Sequence, residues 1–165
     1  MLEEVVITDQ KQSENLQDVP VAVTAFNSDT IQEAGINNAN DLAIMTPSLL
    51  SLSISSPFQT KLQIRGIGTS QSDPALEPSV GVFVDGVFPG RSGLGTPNLT
   101  DIERIGVLQG PQGTLYGKNT NAGAILVTTK RPGIMGFEGY MEATAGDYGM
   151  GNLTLSDTVA WRLPD

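Results

Sequence analysis

Short apolar runs set off by turn residues, rather than long amphipathic stripes, pattern the chain. Val19 to Phe26 alternates weakly and predicts a strand. Asn27 or Ser28 then offers an N-cap, and Asp29 stands where a helix dipole favours acid. The helix Asp29 to Ala34 should stop at Gly35, a natural position for a left-handed residue. A second short helix fits Asn40 to Met45, ended by Pro47, because the residue before proline avoids the helical region. Leu49 to Ile54 alternates Leu with Ser, and Lys61 to Ile67 alternates apolar with polar residues. Both predict half-buried strands. Val80 to Val84, then Asp85-Gly86, then Val87-Phe88 predicts a hairpin with a two-residue type I′ turn. Ile102 to Leu108 predicts a strand, followed by a turn at Gly110-Pro111-Gln112-Gly113 with Pro at its second position. Ala124 to Thr129 predicts another strand, ended by Lys130-Arg131-Pro132-Gly133.

The two ends differ from this middle. Residues 1–19 predict an exposed segment. Val5, Val6 and Ile7 form a strand-prone run beside Glu3, Glu4 and Asp9, and the stretch Asp9 to Asn15 is polar and turn-like. Such a run either frays or pairs with the sheet edge of another chain. From Gly136 onward, Phe137, Gly139, Met141, Ala143 and Ala145 alternate with Glu138, Tyr140, Glu142 and Thr144. Val159, Trp161 and Leu163 alternate likewise with Thr158, Ala160 and Arg162. An antiparallel sheet with one wet face fits this period of two, and so does a transmembrane barrel strand. Gly149 to Leu155 looks short for a second strand of that kind, which leaves room for a deletion across 149–157 or an engineered junction.

Composition narrows the function classes. The chain has 165 residues, 19 Gly and 10 Pro, and all glycines except Gly35 lie from Gly66 onward, so the later two thirds are rich in turns. There is no His and no Cys, which removes Ser-His-Asp triads, thiolate nucleophiles and imidazole or thiolate metal sites. A net charge of -9 speaks against a nucleic-acid backbone binder. Residues 58–131 are nevertheless mildly basic, between two acidic ends. Lys118 follows Gly117, but Gln112 and Asn119 break the phosphate-loop pattern, and Gly66-Ile67-Gly68 lacks the third glycine of a dinucleotide fingerprint. The acidic pair Asp101 and Glu103 has no partner acid or pocket in view. Mean hydropathy is -0.05, and no apolar run reaches the length of a membrane helix. The first residues carry neither a basic nor an apolar leader region, so a signal peptide is expected to be absent or already removed.

What remains is a set of segments in a fixed order: Ile64-Arg65-Gly66-Ile67-Gly68; Val80 to Val87 with Asp85-Gly86; Asp101 to Gly117 with Glu103-Arg104-Ile105 and Gly110-Pro111-Gln112-Gly113; Asn121 to Ile125; and Thr129 to Pro132. Together they resemble the plug domain of TonB-dependent outer-membrane receptors, over about residues 4 to 133 and on into the first barrel strands. Two positions depart from the family's pattern. Gly106 stands where a Glu is usual and Gln109 where an Arg is usual, charges that commonly pair with the barrel wall.

The resemblance implies an α+β fold, with a small mixed β-sheet, short helices and Gly-rich loops, followed by an incomplete barrel stub. It divides the chain into an exposed N-terminal segment (1–19), a plug (20–133) and the start of a barrel (134–165). Glu4, Val5, Val6, Ile7 and Thr8 look like a TonB box, which would add as a strand to the TonB periplasmic domain. Gln17 to Val21 looks like the lead into the first plug strand. Arg65, Glu103 and Arg104 are expected to face the wall of the chain's own or a cognate barrel. Loops 55–60, 68–78 and 89–97, with Phe58, Gln59, Thr69, Gln71 and Arg91, are expected to face a ferric siderophore or another scarce small ligand. The implied role is a gate for energy-coupled uptake in the outer membrane, with a periplasmic N-terminus, no cofactor and no catalysis. A full barrel of about 22 strands of 9–11 residues needs well over 200 residues, so this chain alone is expected to be a soluble plug with an unclosed stub. The alternatives are a free-standing β-rich binding module without transport and, less in keeping with the missing His and Cys, an enzyme that depends on carboxylates or Ser/Lys.

Overall fold

The computed structural model describes residues 6–9, 12–15, 22–53, 60–69, 77–90, 99, 101–131, 137–145 and 151–159. The chain divides into two compact units, residues 1–129 and 130–165. In the first, a four-stranded sheet is built from β3 (Ala22–Asn27), β7 (Val80–Val84), β8 (Ile102–Gln109) and β9 (Gly123–Thr129), in the order β3-β8-β9-β7. β8 is antiparallel to both neighbours, whereas β7 and β9 run parallel. The central strands carry near-continuous apolar runs, Ile105 to Leu108 and Ala124 to Val127, as strands covered on both faces do. A second sheet joins β4 (Leu49–Ser53), β5 (Thr60–Ile64) and the two-residue β6 (Ile67–Gly68).

The helices between β3 and β4 follow their caps. In α1 (Ser28–Glu33) the Asn27 side chain accepts from the Thr30 N–H at 2.8 Å, and the helix gives way to Gly35 at φ 63°. In α2 (Ala39–Met45) Asn38 and Asp41 form a reciprocal capping box, which satisfies N–H groups that have no partner within the helix. On one face of the four-stranded sheet, Phe26, Val80, Val82, Ile105, Val107, Ile125 and Val127 pack with Ile31, Ile36, Leu42, Leu49, Leu62 and Ile64. Each fully buried aliphatic here contributes about 1.5–3 kcal/mol. On the other face a smaller cluster gathers Val23, Phe83, Phe88, Leu108, Tyr116, Ala124 and Leu126.

Three strand expectations need correction. Lys61 to Ile67 is not one strand: Arg65 and Gly66 both take positive φ (53° and 75°) and turn the chain back, pairing Ile67 with Ile64 and Gly68 with Gln63. The return is tight, since a Cβ on Gly68 would lie 2.3 Å from Gln63 Cγ. The Asp85-Gly86 turn forms with positive φ at both residues, but the second arm of its hairpin stops after a single bridge between Val84 and Val87. Phe88 turns away and its ring packs 5.5 Å from that of Phe83. At the N-terminus, the polar stretch after Asp9 holds a strand. β1 (Val6–Asp9) pairs antiparallel with β2 (Gln12–Asn15), with Asp9 opposite Gln12. A strand-prone partner has drawn polar residues into a ladder that their own propensity does not favour.

In the second unit, β10 (Phe137–Ala145) and β11 (Gly151–Val159) pair antiparallel over nine residues each, from Phe137–Val159 to Ala145–Gly151. β11 is therefore as long as β10, and the shortness expected after Gly149 is not observed. Trp161 and Leu163 lie outside the described residues. Alternate register pairs hold Phe137/Val159, Gly139/Asp157, Met141/Leu155 and Ala143/Leu153, and between them Glu138/Thr158, Tyr140/Ser156 and Glu142/Thr154. The pleat assigns these two sets to opposite faces.

Two glycines on the same sheet should respond oppositely to alanine. A Cβ at Gly123 would lie 2.3 Å from the Leu108 carbonyl oxygen and 2.7 Å from Ile64 Cδ1, whereas at Gly106 the nearest atom is Leu126 Cβ at 4.0 Å. Gly123→Ala is expected to lower stability by about 1–3 kcal/mol through overpacking, and Gly106→Ala to leave it unchanged or raise it by about 0.5–1 kcal/mol. Denaturant midpoints of the two variants check this.

Candidate functional site

The first candidate site is a strand. Val and Ile give β1 its extended preference, and three of the five residues expected to bind a partner strand, Val6, Ile7 and Thr8, are consecutive in it. Glu4 and Val5 lie outside the described residues. Among the described residues β1 and β2 pair with each other and with no third strand, so one edge of β1 is taken by Gln12 to Asn15.

The residues expected at a barrel wall are not brought onto one element. Arg65 is exposed at the β5–β6 turn, where its backbone N–H donates to the Ser48 carbonyl at 2.9 Å. Glu103 is exposed at an irregularity of β8, the extra residue between the pairs Ile102–Thr129 and Arg104–Thr128. Arg104 is half-buried and its Nε donates to Thr128 Oγ1 at 3.3 Å. Gln109, in place of the family's Arg, donates through Nε2 to the Pro47 carbonyl at 3.4 Å and so ties β8 to the end of α2. Gly106 lies between Ala25 and Leu126 in register.

Of the residues expected to face a ligand, Phe58, Gln59, Gln71 and Arg91 lie outside the described residues. Thr69 is half-buried at the base of its loop. Its hydroxyl donates to the Glu77 carbonyl at 2.9 Å, accepts from the Ser79 N–H at 3.0 Å and lies 3.3 Å from Ser79 Oγ. The Ala122 N–H donates to the Ser79 carbonyl at 2.9 Å, so the same strut reaches the segment that joins β8 to β9. That segment contains α3 (Gly113–Tyr116) and is closed by Gly110 N–H to Ala122 O, Gln112 N–H to Thr120 O and the fully buried Thr120 hydroxyl to Gly117 O, at 3.0, 2.9 and 2.7 Å. Lys118, which the sequence offers only as part of a failed phosphate loop, pairs with Glu77 on the surface.

Asp85 has a second role that its turn motif hides. Its two carboxylate oxygens accept from the Thr129 N–H and hydroxyl at 2.9 and 2.8 Å, and its own N–H donates to Val127 O at 2.9 Å. The turn after β7 is thereby clamped to the end of β9. A Thr at the end of an adjacent parallel strand is the matching signal, but it becomes visible only once β7 and β9 are known to be neighbours. Among the described residues no group of three or more His, Cys, Asp or Glu is placed to hold a metal ion, and no helix is long and apolar enough to cross a membrane. The arrangement can pair strands and close loops. It assembles no acid–base or nucleophilic constellation among the described residues.

Comparison with known proteins gives this arrangement a context. The family model of the TonB-dependent receptor plug domain matches residues 15–124. The pesticin receptor of Yersinia pestis is 31% identical over 128 residues, which is 77% of this chain and 19% of that receptor. The crystal structure of the ferric yersiniabactin uptake receptor FyuA from Yersinia pestis superposes with a TM-score of 0.67 at 30% identity, covering 74% of this chain and 19% of FyuA. The ferripyoverdine receptor of the outer membrane of Pseudomonas aeruginosa shares the fold, with a TM-score of 0.74 at 19% identity over 92% of this chain and 19% of that one. The chain thus spans about a fifth of the length of these relatives.

The polar strut and the surface ion pair should differ in weight. Thr69→Val removes a hydroxyl that serves two backbone groups and is expected to cost about 1–2 kcal/mol. Lys118→Gln breaks an ion pair whose side chains are 78% and 54% exposed, and should cost less than about 1 kcal/mol. Thermal or urea unfolding of both variants reads the difference.

Proposed function

This chain belongs to the plug-domain family of TonB-dependent receptors, and from that membership we propose that it gates an outer-membrane receptor for energy-coupled uptake of a ferric siderophore. The observation that carries the proposal is the family match across residues 15–124. The 30% identity to the ferric yersiniabactin uptake receptor supports a ferric siderophore as the cargo class. Residues 1–19 then form the coupling segment, 20–133 the plug and 134–165 the start of the barrel wall. The nine-residue strands β10 and β11 support the last assignment, since crossing a bilayer takes about 9–11 tilted residues.

In this reading the ligand binds on the extracellular side, against loops 55–60, 68–78 and 89–97, and Arg65, Glu103 and Arg104 meet the barrel wall. The segment at Glu4 to Thr8 adds as a strand to a sheet edge of the TonB periplasmic domain, where main-chain hydrogen bonds supply the affinity. Force on that strand reaches β3, an edge strand held to the rest of its sheet by β8. Displacing an edge opens a path at lower cost than breaking the centre of the sheet. The work is displacement and release, with no covalent step, so the role is that of a transporter gate and not of an enzyme. The polar strut at Thr69 and Ser79 supports a loop held at its base.

Binding of the chain to a purified TonB periplasmic domain, followed by calorimetric titration, tests the proposal. Val6→Pro removes a backbone donor from the pairing strand and is expected to weaken binding more than about tenfold, with the unfolding midpoint unchanged. An absence of binding by the unaltered chain, or equal binding by Val6→Pro, contradicts the coupling role.

A further inference from the structure

The coupling strand is not free. Val6, Ile7, Thr8 and Asp9 stand opposite Asn15, Glu14, Ser13 and Gln12. Building on the reading of β1 as the TonB-binding strand, we propose that Gln12–Asn15 is a mask in cis. TonB binding is then an exchange of strands, in which the TonB edge takes the place that β2 holds.

The two strands are unequal partners. β1 reads Val-Ile-Thr-Asp and β2 reads Gln-Ser-Glu-Asn, so the β-branched residues sit on one side of the pair and strand-poor residues on the other. The register puts Asp9 opposite Gln12 and Ile7 opposite Glu14. Among the described residues the ribbon has two strands and no third, a form that is marginally stable by itself in water. Ribbons of two strands also twist most strongly, which fits them poorly to the edge of a broader sheet, whereas a released β1 can follow the twist of its new neighbour. Among the described residues β2 pairs with β1 and with no strand of the four-stranded sheet, so its displacement leaves that sheet's ladder in place.

The exchange has two consequences. If the hairpin holds β1 about 70–90% of the time, the apparent TonB affinity is reduced about three- to tenfold below that of the bare strand. Opening the hairpin also lengthens the tether. Val6 and Asn15 are cross-strand neighbours about 5 Å apart when paired, and the same stretch drawn out spans up to about 30 Å. TonB can therefore take hold, and slack run out, before load reaches β3.

Titration of the TonB periplasmic domain against the full chain tests the mask with three proteins. Ser13→Pro disables β2 and leaves the β1 sequence intact; it should bind about three- to tenfold more tightly than the unaltered chain. Gln10→Asn combined with Lys11→Gly supplies a turn that favours the hairpin and should bind several-fold more weakly. Amide exchange at Ile7 and Thr8 should be faster in the first variant and slower in the second. Equal or weaker binding by Ser13→Pro, with the unaltered chain still binding, overturns the mask while leaving the coupling strand in place. No binding by any of the three sinks the coupling strand itself, and the mask with it.

Discussion

The close approach of three strands at Gly123 sets the limits on the two sheets of the first unit. At this position the carbonyl of Leu108 and the side chain of Ile64 both come within a distance that no Cβ tolerates. β8 can therefore lie beside β9, and β5 can bring Ile64 down onto the face that also buries Val107 and Ile125. A glycine in the interior of a strand ordinarily costs stability. Here that cost is offset by letting two sheets share one apolar core. Gly81 makes a similar concession, with Thr120 Cγ2 2.7 Å from where its Cβ would be, and this lets the β8–β9 connection fold down beside β7.

From that centre the interactions weaken outward, in keeping with the proposed gating role. β8 and β9 have a neighbour on each side and are buried on both faces. Among the described residues β3 and β7 are edges, each with one partner strand. The loops are closed by small numbers of hydrogen bonds from Thr69, Asp85 and Thr120, and the surface ion pair adds little. Among the described residues the N-terminal ribbon has no strand partner in either sheet. A body whose stability is concentrated in two strands can yield at its edges without losing its fold, and the family to which the chain belongs is one whose members are plugs of outer-membrane receptors.

Much of this was legible in the sequence because it is local. Asn27, Gly35, Asn38 and Pro47 mark helix ends by chemistry that acts within a few residues, and Asp85-Gly86 marks its turn in the same way. The ordered segments from Ile64 to Pro132 carried the family resemblance, and with it the fold class. The misread elements depend on what lies across from them. Gln12 to Asn15 has no strand preference of its own and pairs because Val6 to Asp9 is opposite. Arg65 is an unusual residue for the first position of a tight turn, so the break in the run from Lys61 to Ile67 was hidden. The site was legible only in part. The Val-Ile-Thr run of β1 announces a pairing strand, whereas the double duty of Asp85 and the strut at Thr69 follow from a strand order that no local pattern specifies.

Residue-resolved native-state hydrogen exchange on the whole chain measures the claimed gradient directly. The account predicts the slowest exchange at the amides of Ile105, Val107, Ile125 and Val127, intermediate rates in β3, and rates within a few tens-fold of an unfolded peptide at Val6 to Asp9, in keeping with an isolated two-stranded ribbon. Protection in the N-terminal ribbon equal to that of the central strands, or loss of all protection in a single step, would contradict it.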